Sequence, residues 1–71
     1  MRDQRHTEVH VLGYRIERVR QFDHQGEMVV QWYEVLAPES AALIGSFAHR
    51  AEAEREIVSR ELNALQRPVA A

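Results

Sequence analysis

The chain has no cysteine, which removes disulfides and cysteine-ligated zinc as staples of a small fold. It has no lysine either: all nine cations are arginine. Aromatics make up only 7% of residues, with a single Trp, so aliphatic side chains must do most of the packing. No apolar run approaches the ~18 residues of a spanning helix. The opening segment MRDQRHTEVH mixes both signs of charge and has no apolar stretch of the kind a secretory leader needs. A soluble, cytoplasmic protein without a membrane segment is therefore expected. Strong charge of one sign is also missing. Residues 1 to 38 hold five Arg against six acids and residues 39 to 71 four against five, for a net charge of −2. Phosphate neutralisation drives non-specific nucleic-acid binding, and this balance gives it little support.

What is present fits one globular domain. Apolar residues make up 45% and charged residues 28% of the 71, outside the disordered range. A chain of this length buries only ~60% of its unfolded surface. With no covalent or metal staple, self-association is the remaining way to add buried area, so a homodimer is one expectation.

The stretch Met28 to Leu36, MVVQWYEVL, is rich in β-branched and aromatic side chains and reads as the central strand of a small sheet. Before it, residues 1 to 7 are polar and aperiodic and are expected to form a flexible arm. Val9 and Val11 alternate in one phase, Leu12, Tyr14 and Ile16 in the other, and Val19 returns to the first. This predicts one long strand over residues 9 to 22, kinked near Gly13 and again near Glu17 and Arg18. Asp23-His24-Gln25-Gly26 has hairpin chemistry. Pro38 closes the central strand, Glu39-Ser40-Ala41 make a turn, and Leu43 to Phe47 form the third strand.

His49 to Gln66 reads as the only helix, with Pro68 preventing its continuation. His49 or Ser46 is the expected cap, with Glu52 at the capping-box position after His49. Ala51, Val58, Leu62 and Leu65 share one face, with Ile57 on its flank, and that face is expected to dock on the sheet. Glu54 and Glu61 project near the same arc and are expected at its wet edge. Arg67 falls near the negative end of the helix dipole, and 68 to 71 form a short tail. The expected fold is α+β, a three-stranded antiparallel sheet with one C-terminal helix on one face, spanning residues 8 to 67.

One helix leaves one sheet face bare. Tyr33 and Val35 are assigned to the helix side, and Val30, Trp32 and Leu36 to the open side. Trp32 flanked by Val30 and Leu36 makes an apolar patch of the kind that marks an interface. Arg15, Arg18 and Arg20 lie in the preceding strand, beside Trp32 if the hairpin pairs, and arginines interleaved with an aromatic can contact phosphates and stack on bases.

Signatures of catalysis are lacking. His6, Glu8 and His10 alternate and could face one way in an extended segment, but they lack the order and spacing of known metal motifs. His24 and His49 read as turn and cap residues. Ser40, Ser46 and Ser59 have no nucleophile-elbow context, and no glycine-rich loop leads into the helix. No catalytic residue, metal or cofactor is assigned.

At YEVLAPESAALIGSFAHRAEAEREI the order strand, turn, strand, helix resembles the end of several small modules. The arm-site DNA-binding domains of tyrosine integrases and the AP2-type domains are similar in placing three antiparallel strands before a helix, as is the second half of a double-stranded RNA-binding domain. The resemblance covers about residues 12 to 66 by order of elements. It implies a β-β-β-α fold and, through Arg15, Arg18, Arg20 and Trp32, contact with nucleic acid. The helix start here, His49-Arg50-Ala51-Glu52, lacks the basic character of the RNA-binding module. Compact acidic regulators of mobile elements are similar in size and charge. The leading expectation is a non-enzymatic protein-interaction module of regulator or inhibitor type using Val30, Trp32 and Leu36 with the neighbouring arginines, and the alternative is a DNA- or RNA-binding module on the same face.

Overall fold

The computed structural model describes residues 2 to 66, so Arg67 and the tail lie outside the described residues. The order is β1 (Arg2–Val11), β2 (Tyr14–Phe22), β3 (Met28–Leu36), β4 (Leu43–Phe47) and α1 (Arg50–Gln66). The strands form one antiparallel sheet in the order β1-β2-β3-β4, and the helix lies on one face, so the class is α+β as expected. Among the described residues no helix is long and apolar enough to cross a membrane.

The sheet has four strands where three were expected, and the reason is Gly13. Leu12 and Gly13 both have positive φ, 52° and 87°, as a two-residue hairpin turn whose twist matches its flanking strands requires. A Cβ at residue 13 would meet Pro38 at an ordinary 3.5 Å, so the dihedral, not space, selects glycine there. The expected kink is thus a reversal. Val11 pairs with Tyr14, and the ladder runs back to Arg2 opposite Phe22. Residues 2 to 7, expected as an arm, are the outer half of β1. The first phase change in the apolar pattern is this turn. The irregularity expected near Glu17 and Arg18 lies instead in β1, between Thr7 and Val9.

The other connections follow their side-chain chemistry. Asp23 Oδ1 accepts from the backbone N–H groups of Gln25 and Glu27, each at 2.9 Å, and Gly26 takes φ 83°. Between β3 and β4 the Ser40 hydroxyl oxygen accepts from Ala42 N–H at 3.2 Å, and Ala41 has φ 59°. Gly45 stands opposite Val35. A Cβ there would lie 3.1 Å from the Phe47 ring, so glycine lets that ring lie close to its own strand. The helix starts as the sequence suggests: His49 N–H donates to Glu52 Oε1 at 3.1 Å, the reciprocal half of a capping box.

The core is Ile16, Val35, Ala53 and Ile57, all with no exposed surface, surrounded by Val9, Val11, Tyr14, Tyr33, Ile44 and Phe47. Tyr33 and Val35 are on the helix side as assigned. The helix, however, docks through Ala53 and Ile57, not through Ala51, Val58, Leu62 and Leu65. Those four face solvent, Leu65 with 81% of its surface exposed. The physical reason is fit: the sheet surface is already filled by Tyr14, Tyr33 and Phe47, and a small Ala53 admits the close approach that lets Ile57 reach Ile16 and Val35. Glu61 stays at the margin of the contact beside Tyr14, whose phenol is pushed above its ordinary value by desolvation first and by this carboxylate second. The molecule is 59 Å long and the helix only ~25 Å, so the end of the sheet away from the Leu12–Gly13 turn has no helix over it. Met28, Val29 and Val30 are exposed there.

Truncating Ile57→Ala is expected to cost about 2–5 kcal/mol, comparable with the whole stability of a domain of this size. Overpacking by Ala53→Leu is expected to cost about 1–3 kcal/mol. Urea unfolding checks both; a neutral Ala53→Leu would show that this side of the helix does not touch the sheet.

Candidate interaction surface

Side chains at paired positions share a face of the sheet. Opposite the helix, the ladders align Arg5, Val19 and Trp32 in one row, Thr7, Glu17, Glu34 and Ser46 in the next, and His10, Arg15, Leu36 and Leu43 in a third. Val19 is fully buried although it lies on the side away from α1. The second phase change in the sequence is therefore no bulge; Val19 is the floor of this face, with Trp32 and Arg5 on either side.

Glu17 and Glu34 face each other across β2 and β3, an arrangement that repels unless a cation intervenes. Arg5 supplies it from the edge strand. Its Nε lies 2.9 Å from Glu17 Oε1, and its terminal nitrogen pairs with Glu34. Arg15 Nε meets Glu17 Oε2 at 3.0 Å, and the Trp32 indole N–H donates to Glu34 Oε2 at 2.9 Å. Burial pushes the Glu34 carboxyl up, but the bonds from Trp32 and Arg5, together with the Arg5 charge, outweigh it and hold the group below the ordinary carboxylate value. The same bond to Glu34 is the main reason that Arg5 is held above its ordinary value. Trp32 is thereby fixed at both ends, its ring beside Val19 and its N–H on Glu34.

The residues singled out in the sequence are only partly brought together. Trp32 and Val30 are on the open face, with Val30 42% exposed, whereas Leu36 at 8% belongs to the buried set. The three arginines are divided. Arg15 is on the Trp32 face. Arg18 and Arg20 pair with Tyr33 and Gln31 on the helix side, where Arg18 Nη1 meets Glu8 Oε1 at 2.7 Å and Arg20 Nε donates to Gln31 Oε1 at 2.7 Å. A strict alternation that no irregularity interrupts in β2 between residues 14 and 21 imposes this split. Glu8 also approaches Arg50 at 3.7 Å, tying β1 to the helix start. The irregularity at Thr7–Val9 separates the histidines: His6 pairs with Arg18 on the helix side and His10 with Arg15 on the other. The alternation expected to align His6, Glu8 and His10 is broken, and among the described residues no group of three or more such side chains could hold a metal.

Arg5, Glu17 and Glu34 were not among the sequence candidates. The signal that could have found them is Leu12-Gly13: once read as a two-residue turn, it sets Arg5 opposite Val19 and beside the two glutamates. Compared with family models, curated proteins and solved structures, the chain matches none.

A carboxylate with a lowered folded-state value stabilises the fold above its unfolded value, ~4.3 for Glu, and that contribution is lost as pH falls through the lower folded value. Arg5→Met is expected to reduce stability at neutral pH and shift the acid-unfolding midpoint upward, with the difference from wild type shrinking once the glutamates are protonated. Circular dichroism along an acid titration measures this. Superimposable curves would mean that Arg5 does not hold the pair.

Proposed function

We propose that the chain is a small non-enzymatic protein-interaction module that works in the cytoplasm and engages another protein through the sheet face opposite the helix. The observation that carries this reading is Trp32: a large, half-buried aromatic on a face that no element among the described residues covers, next to exposed Val30 and rimmed by Arg5, Arg15, Glu17 and Glu34. Trp and Arg are enriched among residues that dominate binding energy. A Trp already fixed by Val19 and Glu34 loses little rotamer freedom on binding, which favours affinity. A mixed-sign rim supplies partner discrimination and encounter rate more than raw affinity. A regulator or inhibitor from a mobile element fits the size and acidity of the chain.

Charge weighs against nucleic acid as the partner. Of the arginines that suggested it, Arg18 and Arg20 are on the helix side, and on the open face Arg5 and Arg15 are matched by Glu17 and Glu34. Little net positive charge is left to displace counterions. Catalysis has no support in the shape either. A shallow groove on the outer side of α1, bordered by Ala51, Glu54, Arg55, Val58, Ser59 and Leu62, is open to solvent and does not enclose the polar group that an acid or base needs.

Immobilised wild-type chain is expected to capture a partner that both Val30→Glu and Trp32→Ala fail to retain, with mass spectrometry identifying the protein and circular dichroism showing both variants folded. Capture unchanged in both variants would refute the open-face reading. Duplex or single-stranded nucleic acid titrated at two salt concentrations is expected to show no salt-dependent binding.

A further inference from the structure

The two edges of the sheet are protected very differently. β1 carries Arg2, Asp3, Arg5, His6, Glu8 and His10 and an irregularity, and charged or bulged edges discourage the addition of another strand. At the opposite edge, the run Ala41 to Ala48 that contains β4 has no charged side chain. β4 pairs with β3 on one side only, and the backbone groups along its outer side have no partner among the described residues. Its remaining protections are a length of five residues and the register shift between Leu43 and Gly45. Gly45 to Phe47 is the regular part.

We propose that the outer edge of β4 takes an extended segment of the partner protein as a further strand, and that this segment is basic on the side toward α1. The proposal rests on the reading of the chain as a protein-interaction module and names what the partner presents. A row of unpaired N–H and C=O groups is matched by extended backbone. The side chains of the segment then alternate, one set toward the helix and the other toward the open face. On the helix side they meet a flank of α1 that the fold identifies. Arg50 approaches Glu8 of β1 at 3.7 Å and Glu61 lies beside Tyr14 of β2, so those two residues mark the flank toward β1 and β2. At ~100° per residue, Glu52 and Glu56 project on the other flank, toward β4 and its outer edge. Glu52 has no ion pair among the described residues, and Glu56 meets only Arg60, at 2.9 Å. A cation on the segment complements that flank. On the open side the segment meets Leu43, 58% exposed, and Ser46, which shares its row with Glu17 and Glu34. Strands lie about 5 Å apart, so the added strand extends the Trp32 surface and one partner covers both.

A second copy is a poorer occupant. A two-fold pair of β4 edges joins two uncharged strands and brings no cation to Glu52. It also sets both helices on one face, with their Glu52 and Glu56 flanks toward each other, where like charges repel. Nucleic acid has no backbone N–H groups to continue the ladder and is repelled by the same carboxylates.

The test is titration of isotope-labelled protein with a short peptide of alternating Val and Arg, followed by amide shifts and hydrogen exchange. Binding is expected to slow exchange in β4. The same peptide N-methylated at alternate backbone nitrogens, or carrying Glu in place of Arg, is expected to bind about tenfold or more weakly. Glu52→Gln keeps an acceptor for the His49 N–H and is expected to weaken binding about twofold to fivefold. Trp32→Ala is expected to leave peptide binding unchanged, so failure at the edge and failure of the open-face reading are told apart. No binding, equal binding of the N-methylated peptide, or slowed exchange confined to other elements would overturn strand addition. Indifference to Glu52→Gln would overturn the basic character of the segment. Protection of β4 that grows with protein concentration in the absence of peptide would put a second copy in that place and overturn the choice of occupant.

Discussion

The contact of Ala53 and Ile57 with Ile16 and Val35 is the constraint on which the rest of the structure depends. Among the described residues it is the only place where helix and sheet bury aliphatic surface completely, and it lies toward the end of the sheet that carries the Leu12–Gly13 turn. Everything farther along must be held by other means. β1 stays on the sheet by its ladder to β2 and by Arg5 and Glu8, whose ion pairs reach across neighbouring elements to opposite faces of the sheet. One edge strand thus supplies both electrostatic ties, with Arg5 neutralising the Glu17–Glu34 pair and Glu8 joining Arg18 to the helix start.

A helix that docks through so narrow a contact leaves two surfaces uncovered among the described residues, and they differ in character. The sheet face around Trp32 is organised: its aromatic is fixed at both ends and its charges are paired. The outer stripe of α1 is apolar, regular and interrupted by one arginine. A fixed aromatic ringed by paired charges suits recognition of a shaped partner.

Much of the local chemistry was legible in the sequence. The Asp23–Gly26 hairpin, the central strand Met28 to Leu36, the reciprocal bond of Glu52 at the helix start and the placement of Tyr33 and Val35 under the helix all follow from residue type and alternation. What misled was pattern read without topology. A turn of only two residues looks like a kink when an apolar Leu12 occupies one of its positions. Val19 looks like a change of strand phase because a buried side chain on the second face of a sheet is indistinguishable, in one dimension, from a bulge. The helix itself is where the sequence places it, and only its docking face differs, because Ala51, Val58, Leu62 and Leu65 form the more regular stripe. Helical periodicity identifies an apolar face but does not say what covers it, and here the sheet takes the narrower stripe of Ala53 and Ile57.

The orientation of α1 underlies the core, the open sheet face and the free helical stripe alike, and methyl nuclear Overhauser spectroscopy on dilute protein tests it most directly. Cross-peaks are expected between Ile57 and the methyls of Ile16 and Val35, with none from Val58 or Leu62 to any sheet residue. Strong contacts from Leu62 and Val58 to the sheet, with Ile57 free of them, would contradict the fold described and with it both proposed surfaces.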